Sequence, residues 1–202
     1  MPRQRRTRST SSDSAVRIIG GKYRGRKLNF PARPGLRPTL GRTRETLFNW
    51  VLPMLPGARC LDLFAGSGAL GLEALSRGAA QVLFVEQDRA VADALAQNLE
   101  RLDVPQAQWA LHRGDAETLA PGAPERFDLI FLDPPFAATG LTPWLTLIDE
   151  QGWLAPDGLI YFEQARSAPP PAAPFETQRL KHAGTYQYGL LRASEDQTPP
   201  AP

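Results

Sequence analysis

The sequence predicts an α/β protein: a mostly parallel seven-stranded sheet with helices on both faces and a C-terminal antiparallel hairpin. Two patterns predict it. From residue 59 onward, short apolar strand segments alternate with helical segments, which is typical of a parallel sheet. Near the C-terminus, only Ala183 and Gly184 separate two strand-like segments, which indicates a hairpin rather than another crossover.

The elements of the main domain can be placed in order from their apolar periodicity. Helices are predicted over 68–77, 88–102 and 142–151. They alternate with five strands that should run parallel, with no helix predicted between the third and fourth of these strands, and the hairpin follows. The seven predicted strands cover residues 59–64, 81–86, 107–112, 127–132, 158–163, 176–182 and 185–192.

A smaller unit, residues 15–52, precedes the main domain, residues 53–194. It begins with a predicted β-hairpin that turns at Gly20-Gly21, and it ends in a helix with an apolar stripe. The two flanking segments, residues 1–14 and 195–202, are polar and poor in large apolar side chains, so both are predicted to be disordered.

The net charge of +2 hides a strong asymmetry along the chain. Residues 1–44 hold thirteen Lys and Arg against one acid, Asp13, for a net charge of +12. The remaining residues hold ten basic against twenty acidic side chains, for −10. A basic segment on an acidic body favours a polyanion bound from one side, and each neutralised phosphate would make that binding salt-dependent.

Composition argues against several functional classes. With 42% hydrophobic and 22% charged residues the chain resembles ordinary globular proteins, and no apolar run reaches the roughly 20 residues of a membrane helix. The N-terminus lacks the apolar segment of a signal peptide, so a cytoplasmic protein without a membrane partner is expected. One cysteine and two histidines argue against a metal site and an internal disulfide. A monomer is the default expectation.

A glycine-rich turn follows the first strand of the main domain. Asp62 stands just before it, and Gly66, Gly68 and Gly71 match the G-x-G-x-x-G spacing that lets a backbone approach a ligand closely. Nicotinamide and flavin enzymes use the same turn, so the glycines alone leave the ligand open.

Three carboxylates narrow the choice of ligand. Glu86 ends the second strand, where it could accept both hydroxyls of a ribose, and Asp115 follows the third strand at the same crevice. Asp62 could meet a cationic group. So many carboxylates would repel a pyrophosphate, whereas S-adenosylmethionine carries a sulfonium, an ammonium and a ribose but no phosphate. The residues therefore favour S-adenosylmethionine as the cofactor.

The fourth strand ends in the tetrapeptide Asp133-Pro134-Pro135-Phe136, which is the most specific signal in the chain. Pro-Pro stiffens the backbone, and the motif can present a carboxylate, a carbonyl and an aromatic ring to a planar base. Two acceptors on an exocyclic amine would aim its lone pair at a methyl donor. Phe136 would stack on a base that has left its helix.

With these motifs in view, the chain resembles the Rossmann-like class I methyltransferases that carry a (D/N)-P-P-(F/Y/W) motif. Among them it is most similar to the bacterial 16S ribosomal RNA guanine-N2 methyltransferases. The resemblance rests on residues 17–27 (RIIGGKYRGRK), the G-L-R-P-T segment at 35–39, Arg42, residues 44–50 (RETLFNW), residues 63–77 with the glycine turn, and D-P-P-F. The family often has an acid where this chain has Gly41.

The resemblance implies S-adenosylmethionine as donor, 16S rRNA of the small ribosomal subunit as partner, and an RNA-binding role for residues 15–52. It also implies that Thr39 and Arg42 lie in a segment that closes over the cofactor or meets RNA. Together with neighbouring turn positions, the predicted cofactor site comprises Asp62, Phe64, Ala65, Gly66, Ser67, Gly68, Glu86, Gln87, Asp115, Ala116, Thr39 and Arg42.

Three alternatives remain open at this stage. An adenine-N6 methyltransferase acting on DNA or RNA would use the same D-P-P-F chemistry, since adenine N6 is also an exocyclic amine. An RNA-binding assembly factor without catalysis would not need the motif or the glycine turn. A nicotinamide-dependent dehydrogenase would explain neither D-P-P-F nor the basic N-terminus.

Overall fold

The computed structural model describes residues 13–33, 41–119, 126–135, 140–171 and 174–194. A two-stranded antiparallel hairpin and a seven-stranded sheet account for all strands of these ranges. The strands are β1 (Asp13–Arg17), β2 (Lys27–Pro31), β3 (Arg59–Asp62), β4 (Gln81–Glu86), β5 (Trp109–Arg113), β6 (Phe127–Leu132), β7 (Leu154–Ala165), β8 (Phe175–Ala183) and β9 (Tyr186–Ala193). The α-helices are α1 (Gly41–Val51), α2 (Ala69–Ser76), α3 (Arg89–Arg101) and α4 (Thr142–Glu150).

The large sheet has the order β5-β4-β3-β6-β7-β9-β8. Strands β3 to β7 pair parallel, whereas β9 inserts antiparallel between β7 and β8. This confirms the predicted mostly parallel seven-stranded sheet with its C-terminal antiparallel hairpin. Strand β7, Leu154–Ala165, is longer than the strand predicted over 158–163. Its pairing with β6 includes a register irregularity between Phe127 and Leu129.

Alternating side chains of the central strands feed two separate cores, one on each face of the sheet. Cys60, Phe131 and Tyr161 point to the face that packs against α1, α2 and α3. Their neighbours in sequence, such as Leu61 and Ile130, point to the opposite face, which α4 covers through residues of its apolar stripe. Period-two alternation thus places helices on both faces, as the sequence predicts.

The N-terminal hairpin joins the first of these cores. Ile18 and Leu28 are buried in it, together with Leu47 and Phe48 of α1. Residues on both sides of the predicted boundary at 52/53 therefore share one hydrophobic core. Strand β1 also begins at Asp13, inside the segment 1–14 that composition assigns to a tail; residues 1–12 and 195–202 lie outside the described residues.

Glu73 in α2 is one of the residues that hold this hairpin in place. Its carboxylate is fully buried and accepts backbone N–H groups from Ile19 at 2.7 Å and Gly20 at 2.8 Å. Arg77 donates to it at 2.8 Å, and the buried Arg44 of α1 lies 3.8 Å away. Burial lowers the pKa of Arg44, which the nearby Glu73 charge partly restores.

Gly21 completes the seat of the hairpin on the end of α2. Its φ of +75° lies in the left-handed region, and an added Cβ would stand 1.8 Å from the carbonyl oxygen of Ser76. The next residue, Lys22, donates its N–H to that same oxygen at 2.7 Å. Only glycine fits this close approach of two backbones.

Candidate active site

Of the predicted site residues that the structure describes, all but Arg42 lie at or just after the carboxyl ends of β3 to β6, where the strand order reverses. From β3 the chain proceeds outward through β4 to β5, then returns to add β6 on the other side of β3. The carboxyl ends of these parallel strands meet at one edge, and ligands of open α/β sheets bind in the crevice beside such a reversal. Glu86 and Asp133 therefore flank the glycine turn that follows β3.

The glycine turn has the backbone that the spacing predicts. Gly66 has φ +50° and Gly68 has φ +76°, and an added Cβ on Gly68 would stand 2.3 Å from Cδ1 of Leu95 in α3. Ser67 between the two glycines and Ala65 just before them are buried. The turn leads into α2 without a side-chain cap, because Gly68 occupies the cap position.

Asp62 serves the start of α2 from the preceding strand. Its Oδ2 accepts the N–H of Gly71 at 2.9 Å, and the side chain is buried. Burial raises its pKa to about 7, against the lowering effect of that hydrogen bond and with help from the nearby Glu86 charge. A carboxylate thus occupies the helix start on which dinucleotide enzymes place a pyrophosphate. This argues against the dehydrogenase alternative.

Glu86 is tied to both neighbouring turns. Its Oε2 accepts the N–H of Gly66 at 2.8 Å, and its Oε1 accepts the N–H of Asp88 at 2.8 Å. Partial burial raises its pKa, and the backbone hydrogen bonds oppose that rise. Backbone N–H groups therefore hold both oxygens of this carboxylate in place, which is the preorganisation that a ribose contact would require.

Four further predicted cofactor positions follow the ends of β3, β4 and β5. Asp115 is exposed and accepts the N–H of Glu117 at 3.0 Å, and Ala116 is buried beside it. Gln87 is exposed. The half-buried ring of Phe64 packs edge-on against Trp144 with centroids 4.8 Å apart.

The D-P-P motif begins one residue after β6 ends at Leu132. Asp133 is half-buried, Pro134 is buried and Pro135 is exposed. On the neighbouring strand β7, the hydroxyl of Tyr161 donates to Oε1 of Glu163 at 2.6 Å. Burial and the charges of Glu163 and Asp133 raise the pKa of Tyr161 well above its ordinary value, so this hydroxyl remains a donor.

Two predicted residues, Phe136 and Thr39, lie outside the described residues. Arg42 is exposed in the first turn of α1. Sequence reasoning missed Asp88, which caps α3 through the N–H groups of Ala90 and Val91 and pairs with Arg33 of the N-terminal segment at 3.0 Å. An Asp two residues after a strand and before a helical pattern is a cap signal that could have found it.

The sequence of this chain matches a known protein family and is similar to individual proteins of stated function. The family model described as "Conserved hypothetical protein 95" matches residues 16–192. The chain is 45% identical over 184 residues to Ribosomal RNA small subunit methyltransferase D of Escherichia coli (strain K12), covering 90% of this chain and 92% of that protein. It is 42% identical over 167 residues to the protein of the same name from Haemophilus influenzae, covering 82% and 86%.

The chain belongs to this methyltransferase family. A solved structure named as a putative methyltransferase yhhF from Escherichia coli superposes with a TM-score of 0.79 at 42% identity, covering 90% of this chain and 99% of that one. The Rossmann-like methyltransferase fold that the sequence predicts is thereby confirmed.

Two negative findings apply to the described part of the chain alone. None of its helices has both the length and the apolar character needed to cross a membrane. Within the same residues, no three His, Cys, Asp or Glu side chains come together as a metal site would require.

Proposed function

We propose that this protein methylates the exocyclic N2 amine of a guanine in 16S rRNA of the small ribosomal subunit. The observation that carries the proposal is the position of Asp133 and Pro134 at the sheet reversal, one strand from the glycine turn. The names of the relatives support rRNA of the small subunit as the substrate. The guanine and its N2 atom are our extension.

The methyl donor is S-adenosylmethionine, and the residues of the crevice fit it. Asp62 and Glu86 are carboxylates that suit a ligand with a cationic sulfonium and ammonium, and the preoriented Glu86 suits a ribose. The positive φ angles of Gly66 and Gly68 keep this turn free of side chains where a ligand would approach. The cofactor supplies an activated methyl group, so the protein has no need to activate the donor.

The protein's own residues have to orient the amine, stabilise the positive charge that develops on its nitrogen and take up the released proton. The lone pair of an aromatic amine is delocalised, so two acceptors on its two N–H bonds must hold it pyramidal and aimed at the donor. The Asp133 carboxylate and the Pro134 carbonyl oxygen are these acceptors. The negative charge of Asp133 also stabilises the positive charge that develops on nitrogen. Asp133 can then take the released proton, directly or through water.

The basic face of the N-terminal hairpin supports RNA as the partner. Arg17, Lys22, Arg24, Arg26 and Lys27 are all exposed on this short segment, while its apolar residues are buried below. Phosphate contacts from these side chains would position the RNA without reading its sequence. Selection of the base then falls to the residues around Asp133.

The test is a transfer assay with labelled S-adenosylmethionine and small ribosomal subunits from bacteria that lack the corresponding relative. Digestion of the RNA identifies the methylated nucleoside. We expect N2-methylguanosine from the native protein and a rate about 10²- to 10³-fold lower from Asp133→Ala. Asp157→Ala, an exposed aspartate side chain that pairs with Arg192, is the matched control and should keep full activity.

The nucleoside decides among the alternatives. N6-methyladenosine would keep the chemistry at Asp133 but overturn the guanine assignment. Cofactor binding without transfer to subunits, free RNA or DNA would instead favour the assembly factor.

A further inference from the structure

A second carboxylate lies beside Asp133 at the same edge of the sheet. The parallel register pairs Phe131 with Tyr161 and Leu132 with Phe162. Asp133 follows Leu132 directly, Glu163 follows Phe162 directly, and the charges of both carboxylates act on the hydroxyl of Tyr161 and raise its pKa. Because neighbouring strands are about 4.8 Å apart, side chains from these two positions can meet one small ligand.

Glu163 is held in a defined position. The Tyr161 hydroxyl donates to its Oε1 at 2.6 Å. Tyr161 lies in the core that α1 joins, and Glu163, two residues further along the same strand, shares its face. Only 4% of Glu163 is exposed. Taking a carboxylate out of water is costly, so a residue that served packing alone would be better apolar. The small exposed fraction suits a group that meets one edge of a planar base.

The bases differ at the atom next to the target amine. In guanine the N1–H donor lies beside the N2 amine, so this edge offers three N–H bonds in a row. In adenine the ring nitrogen beside the N6 amine is an acceptor. An ionised carboxylate can only accept hydrogen bonds, so it attracts the first edge and repels the second.

We propose that Glu163 accepts the N1–H of the target guanine and thereby selects guanine over adenine. This inference rests on the proposed function. Asp133 and Pro134 hold the amine itself, while Glu163 reads the neighbouring ring position. Tyr161 acts through Glu163 as a positioning residue.

The experiment compares guanine with 2-aminopurine at the methylated position. Both bases carry the 2-amino group, but N1 of 2-aminopurine bears no hydrogen. The site is first mapped with the native protein, and 16S rRNA ligated from a synthetic segment with either base is assembled into small subunits. We expect the native protein to prefer guanine by about 10- to 100-fold in kcat/KM, the range for a hydrogen bond to a charged group.

Glu163→Gln provides the decisive comparison, because its amide can turn to donate to an unprotonated N1. We expect this variant to lose most of the preference, through both slower guanine and faster 2-aminopurine methylation. Tyr161→Phe keeps the charge but frees the carboxylate, so it should retain part of the preference. Cofactor affinity and thermal midpoint are measured for each variant.

Two outcomes would overturn the inference. One is a native protein that methylates 2-aminopurine as fast as guanine, which needs no variant to observe. The other is a Glu163→Gln variant that slows both substrates by the same factor, as a purely structural role requires. Neither outcome touches the proposed function, which fails only if the native protein makes no N2-methylguanosine.

Discussion

Replacing Asp62 with asparagine is expected to stabilise the protein against unfolding, and to do so more at alkaline than at acidic pH. The carboxyl is buried at the start of α2, where its Oδ2 accepts the N–H of Gly71. An asparagine carbonyl can accept the same N–H without placing a charge there. The variant thus separates the effect of the charge from that of the hydrogen bond.

The magnitude follows from the pKa of Asp62, which burial raises from 3.8 to about 7. Because the raised pKa means that the folded protein holds this proton more tightly than the unfolded chain does, the favourable contribution is complete below pH 3.8. It is lost as pH rises towards 7. At about 1.36 kcal/mol per pH unit, the loss is on the order of 4 kcal/mol, of which about 2 to 3 kcal/mol falls between pH 5 and pH 7.

The assay is urea denaturation of both proteins, without cofactor, at pH 5 and pH 8. The advantage of Asp62→Asn in free energy of unfolding should grow by about 2 to 3 kcal/mol between the two. Asp128→Asn is the control, since this aspartate also accepts a backbone N–H, from Arg59 at 2.8 Å, at the other end of the sheet. An advantage of equal size at both pH values would refute the reasoning. If Asp62 meets the cationic end of S-adenosylmethionine as proposed, the same variant should also bind this cofactor more weakly.

Three further predictions concern the turn, the hairpin and the RNA. Gly68→Ala should destabilise the fold by about 1 to 3 kcal/mol and weaken cofactor binding, because the added Cβ meets Leu95. The control in the same thermal denaturation is Gly184→Ala, which has φ +59° and open space around it and therefore reports the cost of the backbone conformation alone. Glu73→Gln should cost about 3 to 5 kcal/mol in urea denaturation, since it removes the charge between two arginines, and limited proteolysis should then release the hairpin; resistance equal to the native protein would contradict this. Changing both Lys22 and Arg24 to alanine should make the plot of log affinity for rRNA against log salt concentration less steep, by about one for each phosphate that is no longer neutralised. Cofactor affinity should stay unchanged. An unaltered slope would show that these residues do not contact the RNA.

The sequence predicted those features that are local. Strand-helix alternation, the glycine turn after β3 and the D-P-P motif after β6 each occupy a few consecutive residues, and topology then brings them together by general rules. The C-terminal hairpin was equally accessible, because a short turn leaves two strands little choice. Element ends moved by a few residues where 3₁₀ turns or register irregularities intervene.

What the sequence did not predict depends on partners far apart in the chain. Glu73 lies in the apolar segment ALGLEALS. Nothing local indicates that its carboxylate accepts hydrogen bonds from the N–H groups of Ile19 and Gly20, which stand 54 and 53 positions earlier. The hydrogen bond of 2.6 Å between Thr43 and Tyr186 spans 143 positions. Locally, Glu163 is only a polar residue near the end of a strand, and it is the pairing of β7 with β6 that brings it close to the D-P-P motif.

The buried Glu73 has a consequence for how this protein can be taken apart or rebuilt. A fragment that starts at residue 53 would keep the carboxylate but lose Arg44 and the two hairpin N–H groups that surround it. It would also lose Ile18, Leu28, Leu47 and Phe48 from the core that they share with α2. The segment that we assign to RNA binding is therefore also part of the core of the enzyme. Grafting it onto another methyltransferase would require an acidic residue in the recipient at the position that corresponds to Glu73.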